Sequence, residues 1–185
     1  ILRHCLDMER GDVTSCNRSV VLLDGSSNLP EGSNELARLA SLYGRKACLL
    51  DAQDLGSLKE KVAQAEIIHF SGHSTIKDGR PRLVFPARGG EAYLEASVIA
   101  SWNLAKNRLV SLAGCSTAVG PWAEGEIPWG LLPAFLNAGS PALLASVLPV
   151  DDSAAKTLSC RFYDLLARGS ISKAKALQQA QLSVL

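Results

Sequence analysis

This 185-residue chain predicts an α/β fold, a mostly parallel central sheet with helices on both faces. Three observations carry that expectation. Short strand-like runs alternate with amphipathic helical stretches along nearly the whole chain. The runs are apolar throughout rather than half-polar, which marks strands covered on both faces. Hydrophobic residues make up 47% of the chain and charged ones 20%, enough apolar material for one real core.

Residues 1–17 are polar and irregular and read as a peripheral segment, the tail of a preceding element. The domain proper is expected over 18–185. SVVLL at 19–23 is a β-branched run ending at Asp24-Gly25, a buried strand. After a loop with Pro30 and Gly32, Ser33 is placed to cap a helix through residue 42, with Leu36, Leu39 and Ala40 on one face. Residues 46–50 read as a strand ending at Asp51, 54–65 as a helix, and 66–70 as a strand. A polar loop is expected over 71–81. LVF at 83–85 and 91–94 suggest a hairpin around Arg88-Gly89-Gly90, followed by a short helix at 95–101. LVSLA at 109–113 is another apolar strand, ending at Gly114-Cys115. A loop at 116–126, a helix at 129–138 stopped by Gly139, a strand at 142–148 and two closing helices at 153–167 and 172–185 complete the pattern.

Composition narrows the function. The net charge is +1 and aromatics are 5%, so no basic surface argues for nucleic acid. The longest apolar runs, such as 141–150, are too short to span a bilayer. The opening ILRHCLDMERGD mixes charge with apolar residues and lacks the continuous apolar stretch of a signal peptide. It begins with Ile1, and a longer parent protein is expected. The five cysteines, Cys5, Cys16, Cys48, Cys115 and Cys160, are widely spaced with no C-x-x-C pair. That disfavours a zinc site and fits free thiols in a reducing cytosol. Neither a metal nor a cofactor is expected, and the localisation expected is cytoplasmic.

In parallel sheets the functional groups lie past the carboxyl ends of the strands. That rule selects Asp24, Asp51, His73, Cys115 and the corner Val150-Asp151-Asp152. The interval between His73 and Cys115 holds one right-handed crossover. If their strands are neighbours, imidazole and thiol share one rim. A free thiol titrates near about pH 8.5, and a nearby imidazolium lowers that value. The imidazole can then protonate a leaving amine. Gly72 and Gly114 flank the pair and would let backbone N–H groups approach an oxyanion. Taken singly, a cysteine at a strand end is often a small buried hydrophobe, and a histidine beside a glycine loop a surface residue. His69 stands four residues before His73, but on a strand, so helical metal spacing does not apply. It reads as a packed strand residue.

The motifs, taken in order, resemble one family. IIHFSGHS at 67–74 resembles the HF-(S/A)-x-H-G motif of CHAT domains, caspase-like domains often attached to TPR repeats. LVSLAGCSTAVG at 109–120 resembles their second motif. Leu29-Pro30 with Glu35, AGSPA at 138–142, VDD at 150–152, FYDLL at 162–166 and ALQQAQ at 176–181 follow the family's sequence of features. The resemblance implies a caspase-hemoglobinase fold related to caspases, gingipains and separase. It implies His73 as catalytic histidine and Cys115 as nucleophile. The oxyanion hole would use the backbone N–H of Cys115 and of Ser74. The chain departs from the pattern at Ser74, where the family usually has Gly, and at Leu148-Pro149-Val150, where it often has Trp-Pro-Val.

The activity this implies is a cysteine endopeptidase cutting a specific protein, in a signalling or defence pathway, held off by a regulatory protein or an attached TPR-type domain. Asp24, Asp151 and Asp152 are candidates for an acidic S1 pocket that takes a basic P1 residue, since a buried carboxylate pairs bidentately with a guanidinium. Asp151 or Asp152 could equally cap the helix that follows, and Asp24 could serve the turn before Gly25. Trp122, Pro128 and Trp129 either line the substrate groove or pack a helix–sheet seam. Two other classes fit the pattern less well. One is a caspase-fold scaffold without peptidase activity, which need not keep both His73 and Cys115. The other is a flavodoxin-like ligand-binding domain, for which Asp24-Gly25-Ser26-Ser27-Asn28 offers no phosphate-binding fingerprint.

Overall fold

The structure is a computed structural model, and it describes residues 19–26, 29–114, 130–147 and 150–184. The peripheral segment, Cys115, the loop at 116–126, Trp122, Pro128, Trp129, Leu148 and Pro149 lie outside the described residues.

Five strands form one parallel sheet in the order β2-β1-β3-β7-β8. They are β1 (Val20–Gly25), β2 (Ala47–Leu50), β3 (Ile67–Gly72), β7 (Leu109–Ala113) and β8 (Leu143–Ala145). β1, β3 and β7 are the apolar runs legible in the sequence, buried on both faces. A second, antiparallel sheet of β4 (Ser74–Lys77), β5 (Arg80–Ala87) and β6 (Gly90–Glu95) follows directly from β3. The described helices are α1 (Pro30–Tyr43), α2 (Leu58–Val62), α3 (Ala96–Ala100), α4 (Leu131–Asn137), α5 (Asp152–Ala167) and α6 (Lys173–Leu182). The fold is α/β, its mostly parallel central sheet flanked by helices on both faces.

Side-chain alternation divides the core. Val20, Leu22, Ile67 and Leu109 pack with Leu36 and Leu39 of α1, Phe162 and Tyr163 of α5, and Ala176 and Ala180 of α6. Val21, Leu23, Ile68, Phe70, Val110 and Leu112 face the other way, toward α2, α3, α4 and the antiparallel sheet through Leu83, Phe85 and Leu94. No helix among the described residues is long and apolar enough to cross a membrane.

Three expectations are corrected. The segment 71–81 is not a loop. β3 runs to Gly72, and β4 and β5 form a hairpin across Asp78-Gly79, whose φ values of 53° and 70° are those of a type I′ turn. α1 starts at Pro30, not after Ser33. Pro suits the first helical position, and the orphan N–H of Glu31 is taken by Asp152 Oδ2 at 3.1 Å. Ser33 instead hydrogen-bonds Ser26 Oγ. The stretch 54–65 divides into a 3₁₀ segment at Ala52–Ser57 and the short α2. There Asp51 and Asp54 form a capping box, with Gln53 N donating to Asp51 Oδ1 and Asp51 N to Asp54 Oδ2.

Candidate active site

The strand order reverses between β1 and β3, and the crevice at such a point, past the carboxyl ends, is where parallel sheets bind ligands. Gly25 and Gly72 are register partners there. A Cβ on Gly72 would stand 2.6 Å from the Gly25 carbonyl oxygen, so the strands approach too closely for any side chain. His73 is the next residue. It is the single non-strand residue between β3 and β4, half-buried, and its carbonyl accepts a 2.9 Å hydrogen bond from Val84 N of β5. One histidine thus sits at the junction of the two sheets, its backbone fixed from both.

β3 pairs with β7 with Ser71 opposite Ala113. β7 carries the described chain to Gly114, after which the sequence places Cys115. Ser74 opens β4 opposite Leu83. Among the described residues Asp78 alone has a positive φ outside glycine, so Ser74 holds an ordinary backbone conformation in which its Cβ costs nothing.

A recess of about 430 Å³ adjoins His73. Leu144 of β8, Val150, Leu158 of α5 and Leu177 of α6 give it apolar walls, and Asp152 and Ser159 supply polar groups. The three acidic candidates are separated by this geometry. Asp152 lines the recess while its Oδ2 holds Glu31 N of α1. Asp151 is exposed and caps α5, accepting from Ala154 N at 3.1 Å. Asp24, opposite Ser71 in the register, accepts from both Ser26 N and Ser26 Oγ. Asp152 and His73 therefore share a cavity wall, and Asp151 and Asp24 serve a helix end and a turn.

Beneath the rim lies a polar cluster that the sequence reading missed. Glu35 and His69 are buried, 2% and 0% exposed, with Glu35 Oε1 3.2 Å from His69 Nε2. The two atoms are in close polar contact but off the alignment of a linear hydrogen bond. Ser71 Oγ donates to Glu35 Oε2 at 3.0 Å, and Ser159 also hydrogen-bonds the carboxylate. Tyr163 Oη hydrogen-bonds with His69 Nδ1 at 3.2 Å. Burial alone would push the Glu35 carboxyl up. The attraction and close contact of His69, with the hydrogen bonds from Ser159 and Ser71, outweigh it and hold the group below its ordinary range. The hint available in sequence was positional: Glu35 falls one turn before Leu39, on the apolar face of α1.

The family model of the CHAT domain matches residues 14–185. The chain belongs to the CHAT domain family. The CHAT fold is caspase-like, and the parallel sheet with His73 at the end of β3 is the frame in which its first motif stands. No curated protein matches this CHAT domain. Among solved structures it is similar to the Streptococcus pneumonia TIGR4 flavodoxin, at 15% identity over 86% of this chain and 96% of that one, with a TM-score of 0.38.

Proposed function

We propose that this CHAT domain is a cysteine endopeptidase with Cys115 as nucleophile and His73 as its general acid and base. The observation that carries the reading is the placement of His73, pinned between two sheets on the rim of a recess and two residues past Ser71, whose register partner Ala113 stands two residues before Cys115 in the sequence. In this mechanism the Cys115 thiolate attacks the scissile carbonyl carbon and a C–S bond forms. The oxyanion is held by the backbone N–H groups of Ser74 and Cys115. His73 gives its proton to the leaving nitrogen as the C–N bond breaks, then takes one from the water that hydrolyses the thioester.

The recess is the site for the P1 side chain. Its walls suit an apolar stem, and Asp152 supplies a carboxylate for a cationic head, so Arg is the preferred P1 residue. The substrate is a specific protein in a signalling or defence pathway, met in the cytoplasm. An attached TPR-type domain or a partner protein controls access to the site.

The test is a fluorogenic peptide panel with Arg, Leu or Asp at P1, run on the wild type, His73→Ala and Cys115→Ala. Cleavage after Arg that disappears in both variants supports the reading. Equal cleavage of all three peptides contradicts the acidic recess. Cleavage that survives in Cys115→Ala contradicts the dyad. No turnover, even with the regulatory partner present, favours a binding module on the same fold.

A further inference from the structure

Glu35 belongs to no step of that mechanism, yet it is a buried carboxylate. Taking such a group out of water is costly, and well-packed apolar residues of the same volume often serve stability as well or better. Its surroundings have a direction. On β3, residues two apart share a face, so Ile67, His69 and Ser71 lie on the side covered by α1, α5 and α6, and His73, just past the strand, lines the recess that α5 and α6 wall. Glu35 takes hold of two of them, His69 through Nε2 and Ser71 through Oγ. Ser71 is the last residue of that row before His73. The first turn of α1 presses on the same point. A Cβ on Gly32 would lie 2.8 Å from Ser71 Oγ. That turn is in turn held to α5 by Asp152 Oδ2, on the wall of the recess.

We propose that Glu35 is a positioning residue for His73: through Ser71 and His69 it fixes the carboxyl end of β3, and so the imidazole, relative to the nucleophile. The inference rests on the dyad reading above. α1, with no reactive group of its own, becomes the brace of the active site, joining the recess wall at Asp152 to the strand end at Ser71. Displacement of a reacting group by about 1 Å costs roughly a hundredfold in rate. A small relaxation of β3 would therefore register in the chemistry well before it unfolded the domain.

The experiment reads the thiol directly, on the full chain. Iodoacetamide alkylation of Cys115 is followed by mass spectrometry against pH in wild type, His73→Ala, Glu35→Gln and Ser71→Ala, with exposed Cys48 as internal control and thermal melting as the check on folding. A displaced imidazole returns the thiol toward about pH 8.5. The expected result is a loss of roughly tenfold in Cys115 reactivity near pH 6.5 in Glu35→Gln, with Cys48 unchanged, in a protein that still melts cooperatively. Ser71→Ala, which removes only a hydroxyl, decides the matter if Glu35→Gln does not fold. Wild-type Cys115 profiles in both variants, alongside a loss in His73→Ala, overturn the role of Glu35 and leave the dyad standing. An unchanged profile in His73→Ala overturns both.

Discussion

Ser71 of β3 stands opposite Ala113 of β7 in a parallel register, and His73 and Cys115 each follow two residues later in sequence. A histidine at a strand break and a cysteine at another are unremarkable singly. An extension of this register past Gly114 would bring the two to one rim. Replacing either by Ala is expected to lower turnover of a cleaved peptide by at least about a hundredfold, the usual span for a general acid–base or nucleophile. Steady-state kinetics on folded variants checks this.

Gly72→Ala should be destabilising by about 1–3 kcal/mol, the cost of forcing extra volume into a packed site. The neighbour in the way is the Gly25 carbonyl, backbone that cannot step aside. Urea unfolding measures the loss, and a variant as stable as wild type would mean that β1 and β3 are not so tightly apposed.

Glu35 gives a pH signature. Its folded carboxyl lies below the ordinary value of 4.5, so its stabilising contribution is present above that value and is lost as pH falls through the folded value. The groups facing it are His69 and Ser71 from β3 and Ser159 from α5. The wild-type melting temperature should fall more steeply than that of Glu35→Gln on acidification below about pH 4.5. Glu35→Ala, which leaves the buried hydroxyl of Ser71 and the ring of His69 without their carboxylate partner, should cost about 1–3 kcal/mol. Parallel melting curves for wild type and Glu35→Gln in acid would contradict the contact.

Cys160 and Cys48 should separate by reactivity. Burial first, then the carboxylates of Glu35 and Asp164, push the Cys160 thiol up, with Arg38 and Lys156 opposing. Cys48 is exposed on β2. At pH 8 Cys160 should alkylate more slowly than Cys48, as peptide mapping after a timed pulse would show.

Asp152→Asn tests the recess. The amide oxygen can still accept from Glu31 N, so the start of α1 is retained while the charge is lost. Cleavage after Arg should fall roughly tenfold or more relative to cleavage after Leu, the difference a charged hydrogen bond makes. An unchanged Arg-to-Leu ratio would take Asp152 out of P1 recognition.

The parts of this account that sequence revealed are those written in apolar runs. β1, β3 and β7 are buried on both faces and stop at or just before a glycine, so their positions and the strand break at His73 were legible. β4 was hidden because its four residues are half-exposed and short. The signal that could have found it was Asp78-Gly79, a dipeptide suited to a two-residue hairpin turn. The start of α1 was misplaced because Asp152, far along the chain, satisfies the N–H that a local cap would otherwise take. Ser33 offered a plausible local cap and found another partner. The Glu35–His69 contact joins a helix to a strand through tertiary packing, and no local pattern encodes it. A carboxylate on an apolar helix face was the one trace it left.

The measurement that reaches the central claim most directly is the rate of Cys115 alkylation by iodoacetamide against pH, in wild type and His73→Ala, with the other four cysteines as controls. The account predicts that wild-type Cys115 reacts well below about pH 8 and that this reactivity is lost in the variant. A Cys115 that titrates like the other thiols in both proteins would contradict it.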